Sequence, residues 1–196
     1  MLDERFIFIG LALSIYGAGN YLIDTLKGKT KPNKVTWLLW AIAPLIAFFA
    51  ELKQGVGLQS LLTFIVGFNP LLIFLASFVN KKSQWEIGKL DIICGVLSVG
   101  GLILWQISKV GNVAIFFSIM ADGLAGIPTI VKSYKKPETE NDKVFLYASV
   151  NSLITIATIK TWNFAHYAFP IYIFLIASLL FVLIHFKLGR KHFKSI

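Results

Sequence analysis

Long apolar stretches recur along the chain at approximately 6–26, 35–52, 56–80, 90–107, 111–132, 143–160 and 163–186, separated by short polar segments. Each has about the length that a helix rising ~1.5 Å per residue needs to cross a hydrocarbon core ~30 Å thick. None alternates with period two, so membrane strands are not expected. The first stretch follows Asp3, Glu4 and Arg5 rather than a basic cluster, and Phe6 to Leu26 is too long for the apolar part of a signal peptide. It therefore reads as the first spanning helix. The pattern predicts an all-α membrane protein with seven transmembrane helices.

Composition agrees with the pattern. Of 196 residues, 56% are hydrophobic and only 15% charged, too few to cover a soluble globule. Disorder would need the opposite balance. The single cysteine, Cys94, excludes a disulfide framework or a cysteine-based cluster. His166, His185 and His192 are not spaced as metal ligands, so no metal and no cofactor are expected.

Charge adds a direction. Fifteen of the nineteen basic residues fall between helices one and two (Lys27, Lys29, Lys31, Lys34), three and four (Lys81, Lys82, Lys89), five and six (Lys132, Lys135, Lys136, Lys143), and in the tail (Lys187, Arg190, Lys191, Lys194). Arg5, Lys53, Lys109 and Lys160 lie on the other side. By the positive-inside rule the amino terminus is outside and the carboxy terminus cytoplasmic, as for a plasma (inner) membrane protein. The split also supports an odd number of spans. The net charge of +9 then belongs to loops beside a lipid bilayer, and no nucleic-acid partner is expected.

The seven stretches carry a weak internal repeat. Leu26-Lys27 with Pro32 beyond it matches Val131-Lys132 with Pro137 beyond it, and the Pro70–Leu75 segment matches Pro170–Leu175. A three-helix unit reverses orientation when repeated directly, so parallel copies need one extra span between them, and 90–107 supplies it. The expected arrangement is 3+1+3 with two parallel three-helix repeats: residues 1–80, a linker helix in 81–109, and 110–196 with the basic tail.

At this point the chain resembles the PQ-loop superfamily, which includes the SWEET sugar transporters, through helix count, orientation and repeat parity over nearly its whole length. The most family-like stretch is Lys31-Pro32-Asn33-Lys34-Val35-Thr36-Trp37-Leu38-Leu39-Trp40. The family's Pro-Gln pair falls at Pro128-Thr129 in the second copy and at Ile23-Asp24 in the first. Pro44 matches a second-helix proline, with Asn151 near its equivalent in helix six; Asn69 matches a pocket asparagine, with Phe169 opposite it on helix seven. The resemblance implies alternating access of two three-helix bundles around a central solute site.

Polar residues inside the spans are the candidate site. Asp122 lies near the middle of the fifth stretch, where a charge costs about 2.5–3.5 kcal/mol and so should face a cavity or partner. It shares a helical face with Ser118, Ala125 and Thr129 and suits proton coupling or substrate anchoring. Tyr147 and Asn151 form a stripe with Thr155 and Thr158; Trp40 shares a face with Thr36, Pro44, Ala47 and Glu51. The expected substrate-binding set is Trp40, Asn69, Asp122, Tyr147, Asn151 and Asn20, with Pro44, Gly123, Gly126 and Pro128 as hinges. Trp37, Trp85, Trp105 and Trp162 lie near span ends and are assigned to the membrane interface. Glu51 is assigned to solvent beside Lys53, and Asp24 to a pair with Lys27.

These features favour a small polar solute transporter or facilitator, taking a sugar, an amino acid or a vitamin-like molecule. The alternative is a non-transporting membrane receptor or scaffold of the same fold. No nucleophile–base pair, catalytic carboxylate pair or phosphate loop is recognisable, so an enzyme is not expected. Seven helices suffice to close one pathway in a single chain, and an oligomer is equally compatible with the sequence.

Overall fold

The computed structural model describes residues 2–83, 85–108 and 111–189, without the side chains of 101 and 104–108. Trp105 (as a side chain), Lys109, Arg190, Lys191, His192 and Lys194, assigned above to helix ends, a loop and the tail, lie outside the described residues. Among those described there are seven α-helices and no strand: α1 (Ile7–Leu26), α2 (Lys34–Lys53), α3 (Ser60–Ala76), α4 (Lys89–Ser108), α5 (Gly111–Lys135), α6 (Asp142–Thr158) and α7 (Phe164–His185).

Local chemistry sets the helix ends. Asn33 opens α2 by accepting from the Val35 and Thr36 amides, and Asn141 opens α6 by accepting from the Lys143 amide. An asparagine at this position satisfies donors that the first helical turn leaves free. At the other end of α2, Gly55 adopts φ +76°, the left-handed conformation that glycine takes without steric penalty. The chain then turns through Val56–Gln59, which is why α3 starts four residues later than the apolar stretch beginning at 56. At its far end α5 continues past 132 to Lys135, carrying Lys132 into the helix.

Four helices are apolar and long enough to span a membrane: α1 with the turn before it (Glu4–Leu26), α2, α5 and α7. Helix α3 is apolar but shorter. Helix α6 also has 17 residues, about 25 Å of rise, and buries Ser149, Asn151, Ser152, Thr155 and Thr158. Large apolar side chains such as Phe8, Ile15, Phe49, Leu75, Ile93 and Val96 are exposed, as expected of faces in contact with lipid rather than water.

Helix α2 packs against α3 and α5, and α6 packs against α7 and α1. Helix α1 also touches α3, α5 touches α7, and α4 lies against α5 and α2. The core cluster joins Tyr21, Trp37, Trp40, Phe145, Leu180 and Ile184. Trp37 is 1% exposed, so it is a core residue and not an interfacial one. Its ring is enclosed because Tyr21 of α1 stacks on it at 4.7 Å and Trp40 meets it edge-on at 5.4 Å. Trp162 is exposed.

The three basic connections meet at one end. The Lys31 amide donates to the Thr139 carbonyl at 2.9 Å, Asn80 donates to the Leu26 carbonyl at 2.8 Å, and the Ser83 hydroxyl donates to the Thr25 carbonyl. Lys132 and Lys136 both lie over the ring of Trp85. The opposite end gathers the amino-terminal segment and the α6–α7 turn. There Leu2 N–H donates to Ala157 O at 2.9 Å and Lys160 pairs with Glu4 at 2.9 Å. The hydrogen bond from Lys160 to the Glu4 carboxylate, with its charge, raises the lysine above the ordinary range.

Candidate functional site

Asp122 lies near the centre of α5 and is 2% exposed. Tyr172 of α7 donates its hydroxyl to Asp122 Oδ2 at 2.6 Å. The other oxygen, Oδ1, is buried with no hydrogen-bond partner among the described residues. A buried carboxylate oxygen left unpartnered is unusual, because the desolvation it suffers is normally offset by a donor.

Two donors from α2 secure the α5 backbone around this acid. Trp40 Nε1 donates to the Asp122 carbonyl at 3.0 Å, and Thr36 Oγ1 donates to the Ala125 carbonyl at 2.7 Å. Both bonds lie beside the turn where Pro128, having no N–H, frees the Leu124 carbonyl. Helix α5 nevertheless remains helical from Gly111 to Lys135 through Gly123, Gly126 and Pro128. Gly126 is a close-packing position, since a Cβ there would stand 3.0 Å from Ile176 Cδ1 and 3.3 Å from Trp40 Cζ2. A Cβ at Gly123 would meet the Tyr172 hydroxyl at 3.7 Å. Pro44 is buried within α2.

Asp122 faces a cavity of about 70 Å³. Its wall takes Ser14 from α1, Trp37 and Trp40 from α2, Val66, Asn69 and Pro70 from α3, Val144, Phe145 and Ala148 from α6, and Ile173, Ile176, Ala177 and Leu180 from α7. Every helix except α4 contributes. Asn69 donates to the Ser14 carbonyl at 3.4 Å, which ties α3 to α1 across the wall. Among the described residues, Asp122 is the only acidic or basic side chain on the lining, and most of the remaining wall is apolar or aromatic.

Three of the six expected binding residues, Trp40, Asn69 and Asp122, share this cavity, and three do not line it. Asn20 donates to the Tyr16 carbonyl on its own helix at 2.8 Å, on an exposed side. Tyr147 packs edge-on against Tyr16 at 5.4 Å, outside the cavity. Asn151 is fully buried where α6 meets Gly10 of α1, and a Cβ at Gly10 would collide with its amide.

Toward the basic end, an aromatic series leads from the cavity to a buried ion pair. Phe145, Trp40, Trp37 and Tyr21 follow one another at 6.2, 5.4 and 4.7 Å between ring centres. Tyr21 then donates to Glu140 Oε2 at 2.5 Å. Lys132 Nζ meets Glu140 Oε1 at 2.5 Å and also donates to the Lys31 carbonyl. Both side chains of the pair are at most 1% exposed, so Lys132 is not a solvated loop charge. Asp24 also differs from expectation: it accepts from Asn141 at 2.6 Å and pairs with Lys29 at 3.8 Å, rather than with Lys27.

Glu51 needs the largest correction. It is 1% exposed and accepts from Thr63 Oγ1 at 3.0 Å, because α3 folds over the end of α2 and removes this side chain from solvent. Its Oε2 has no hydrogen-bond partner among the described residues. Tyr172, Trp37, Glu140 and Glu51 were the residues that sequence reasoning missed. Tyr172 was the one with a signal, as a polar residue set in the apolar Pro170–Leu175 segment.

Among the described residues, no group of three His, Cys, Asp or Glu is placed to hold a metal ion. The chain matches no protein-family model, no curated protein and no solved structure.

Proposed function

We propose that this chain is a seven-span membrane transporter for a small polar solute, built as two parallel three-helix units, α1–α3 and α5–α7, with α4 as the linker. The observation that carries the reading is the central cavity, which all six helices of the two units line and into which one buried acid faces. Ligand sites at the interface of repeats near mid-membrane are the general arrangement in transporters built from repeats.

The packing pattern supports the pairing of the units. Within these six helices, exchanging α1 with α5, α2 with α6 and α3 with α7 turns each principal contact into another: α1–α6 into α5–α2, α2–α3 into α6–α7, and α1–α3 into α5–α7. The entries to α2 and α6 match as well, each with a proline in the preceding connection and an asparagine cap. The gathering of three basic connections at one end supports a cytoplasmic location for that end, with the amino terminus opposite. The same features agree with a PQ-loop-like architecture.

In this reading Asp122 is the anchoring or coupling residue, Trp40 and Asn69 form part of the wall, and Pro44 and Pro128 are points about which the units rock. The titratable group facing Asp122 is Tyr172 of α7; among the described residues, no lysine, arginine or histidine lines the cavity. The test is uptake into proteoliposomes of a panel of labelled sugars, amino acids and vitamins, with and without a pH gradient. At least one solute should accumulate with the gradient, and Asp122→Asn should remove the gradient dependence while leaving exchange in part. Absence of flux for the whole panel would favour a receptor or scaffold, and surviving pH dependence in Asp122→Asn would remove the proton role.

A further inference from the structure

The cavity's chemistry is narrower than its size. A sugar carries many hydroxyls, each of which loses free energy if buried without a partner. Beyond Asp122, however, the wall offers only the Ser14 hydroxyl, the Asn69 amide and two indole N–H groups, and Trp40 Nε1 is already engaged with the Asp122 carbonyl. Among the described residues, an anion, or the carboxylate of an amino acid, would meet no lysine, arginine or histidine on this wall. A hard metal cation would require about six oxygen ligands, far more than this lining supplies.

What the wall does supply is one buried acid, one of whose oxygens has no hydrogen-bond partner among the described residues, and on the same lining the rings of Trp37, Trp40 and Phe145. A carboxylate beside aromatic faces suits an organic ammonium: the acid neutralises the charge and accepts its N–H, while the ring quadrupoles attract the cation. At about 70 Å³ the cavity admits a molecule of only a few heavy atoms.

We infer that the solute of this site is a small organic ammonium ion, held by the Asp122 carboxylate beside the rings of Trp37, Trp40 and Phe145. The inference rests on reading the cavity as a solute site. Asn69 and Ser14, on the wall's α3 and α1 sides, are then the groups that a hydroxyl on the same molecule would meet.

The test uses the full chain purified in detergent, with propylammonium as probe and 1-propanol and propionate as neutral and anionic matches of its shape. Binding is followed by tryptophan fluorescence, since two tryptophans line the cavity, and by calorimetry. Propylammonium should bind at least about tenfold more tightly than either match, a difference of ~1.4 kcal/mol. Asp122→Asn should erase that preference. The comparison of the three probes on the unaltered chain stands by itself if the variant does not fold. Equal binding of 1-propanol, or tighter binding of propionate, overturns the inference. Flux of a neutral solute with no propylammonium binding overturns the ammonium assignment and leaves transport standing. Selective propylammonium binding without flux of any solute supports the assignment and counts against transport.

Discussion

Trp40 does two things at once: its ring forms part of the cavity wall, and its Nε1 holds the Asp122 carbonyl at 3.0 Å. Trp40→Phe separates the two, because it keeps an aromatic wall and removes the donor. The expected outcome is a loss of about 1 kcal/mol in unfolding free energy, the usual worth of one such bond, with the fold retained. Denaturant titration in mixed micelles measures it; a loss near zero would show that the bond does not tie α2 to α5. Residue-scale detail of this kind was only partly legible in the sequence. Asp122 stood out because an acid in mid-span is expensive wherever it faces. Its partner Tyr172, fifty positions away, is set by how α7 packs on α5. Trp37 and Trp40 are one turn apart on the same helix, and each is made core by a neighbour from elsewhere in the chain, Tyr21 of α1 for Trp37 and Phe145 of α6 for Trp40.

At the scale of elements, each of the seven apolar runs coincides with one helix, and four of those helices are long and apolar enough to cross a membrane. The runs did not predict what is buried at the helix ends. Lys132 reads as a loop charge until α5 is seen to continue to Lys135, and Glu51 reads as solvated until Thr63 is seen to cover it. The Lys132–Glu140 pair joins α5 to the connection before α6, and through Tyr21 and the Lys31 carbonyl it holds α1 and the α1–α2 connection. Removing one member strands a buried charge, so Lys132→Met should destabilise the protein by about 3–5 kcal/mol. Adding Glu140→Gln should recover much of that loss, since neither member is then an unpaired ion. A double variant no more stable than Lys132→Met would mean that the two charges do not act as a pair. In the transport reading this cluster closes the basic end, so the double variant should also speed exchange at that side.

For the whole molecule, the proposed transport requires that the cavity beside Asp122 be reached alternately from two sides as α1–α3 and α5–α7 rock against each other. The Tyr21–Glu140–Lys132 cluster lies toward the basic end, and Ala47, Phe169 and Ile173 pack together in a separate cluster. Cys94, the only cysteine, is buried on α4, away from the cavity wall, so it can be replaced by alanine to leave a background for a reporter thiol. Ser14→Cys places that thiol on the wall at nearly the size of the native side chain. The most direct measurement is its modification by a membrane-impermeant thiol reagent applied separately to each face of oriented vesicles. Alternating access predicts labelling from both faces, while labelling from one face alone, or from neither, would contradict it.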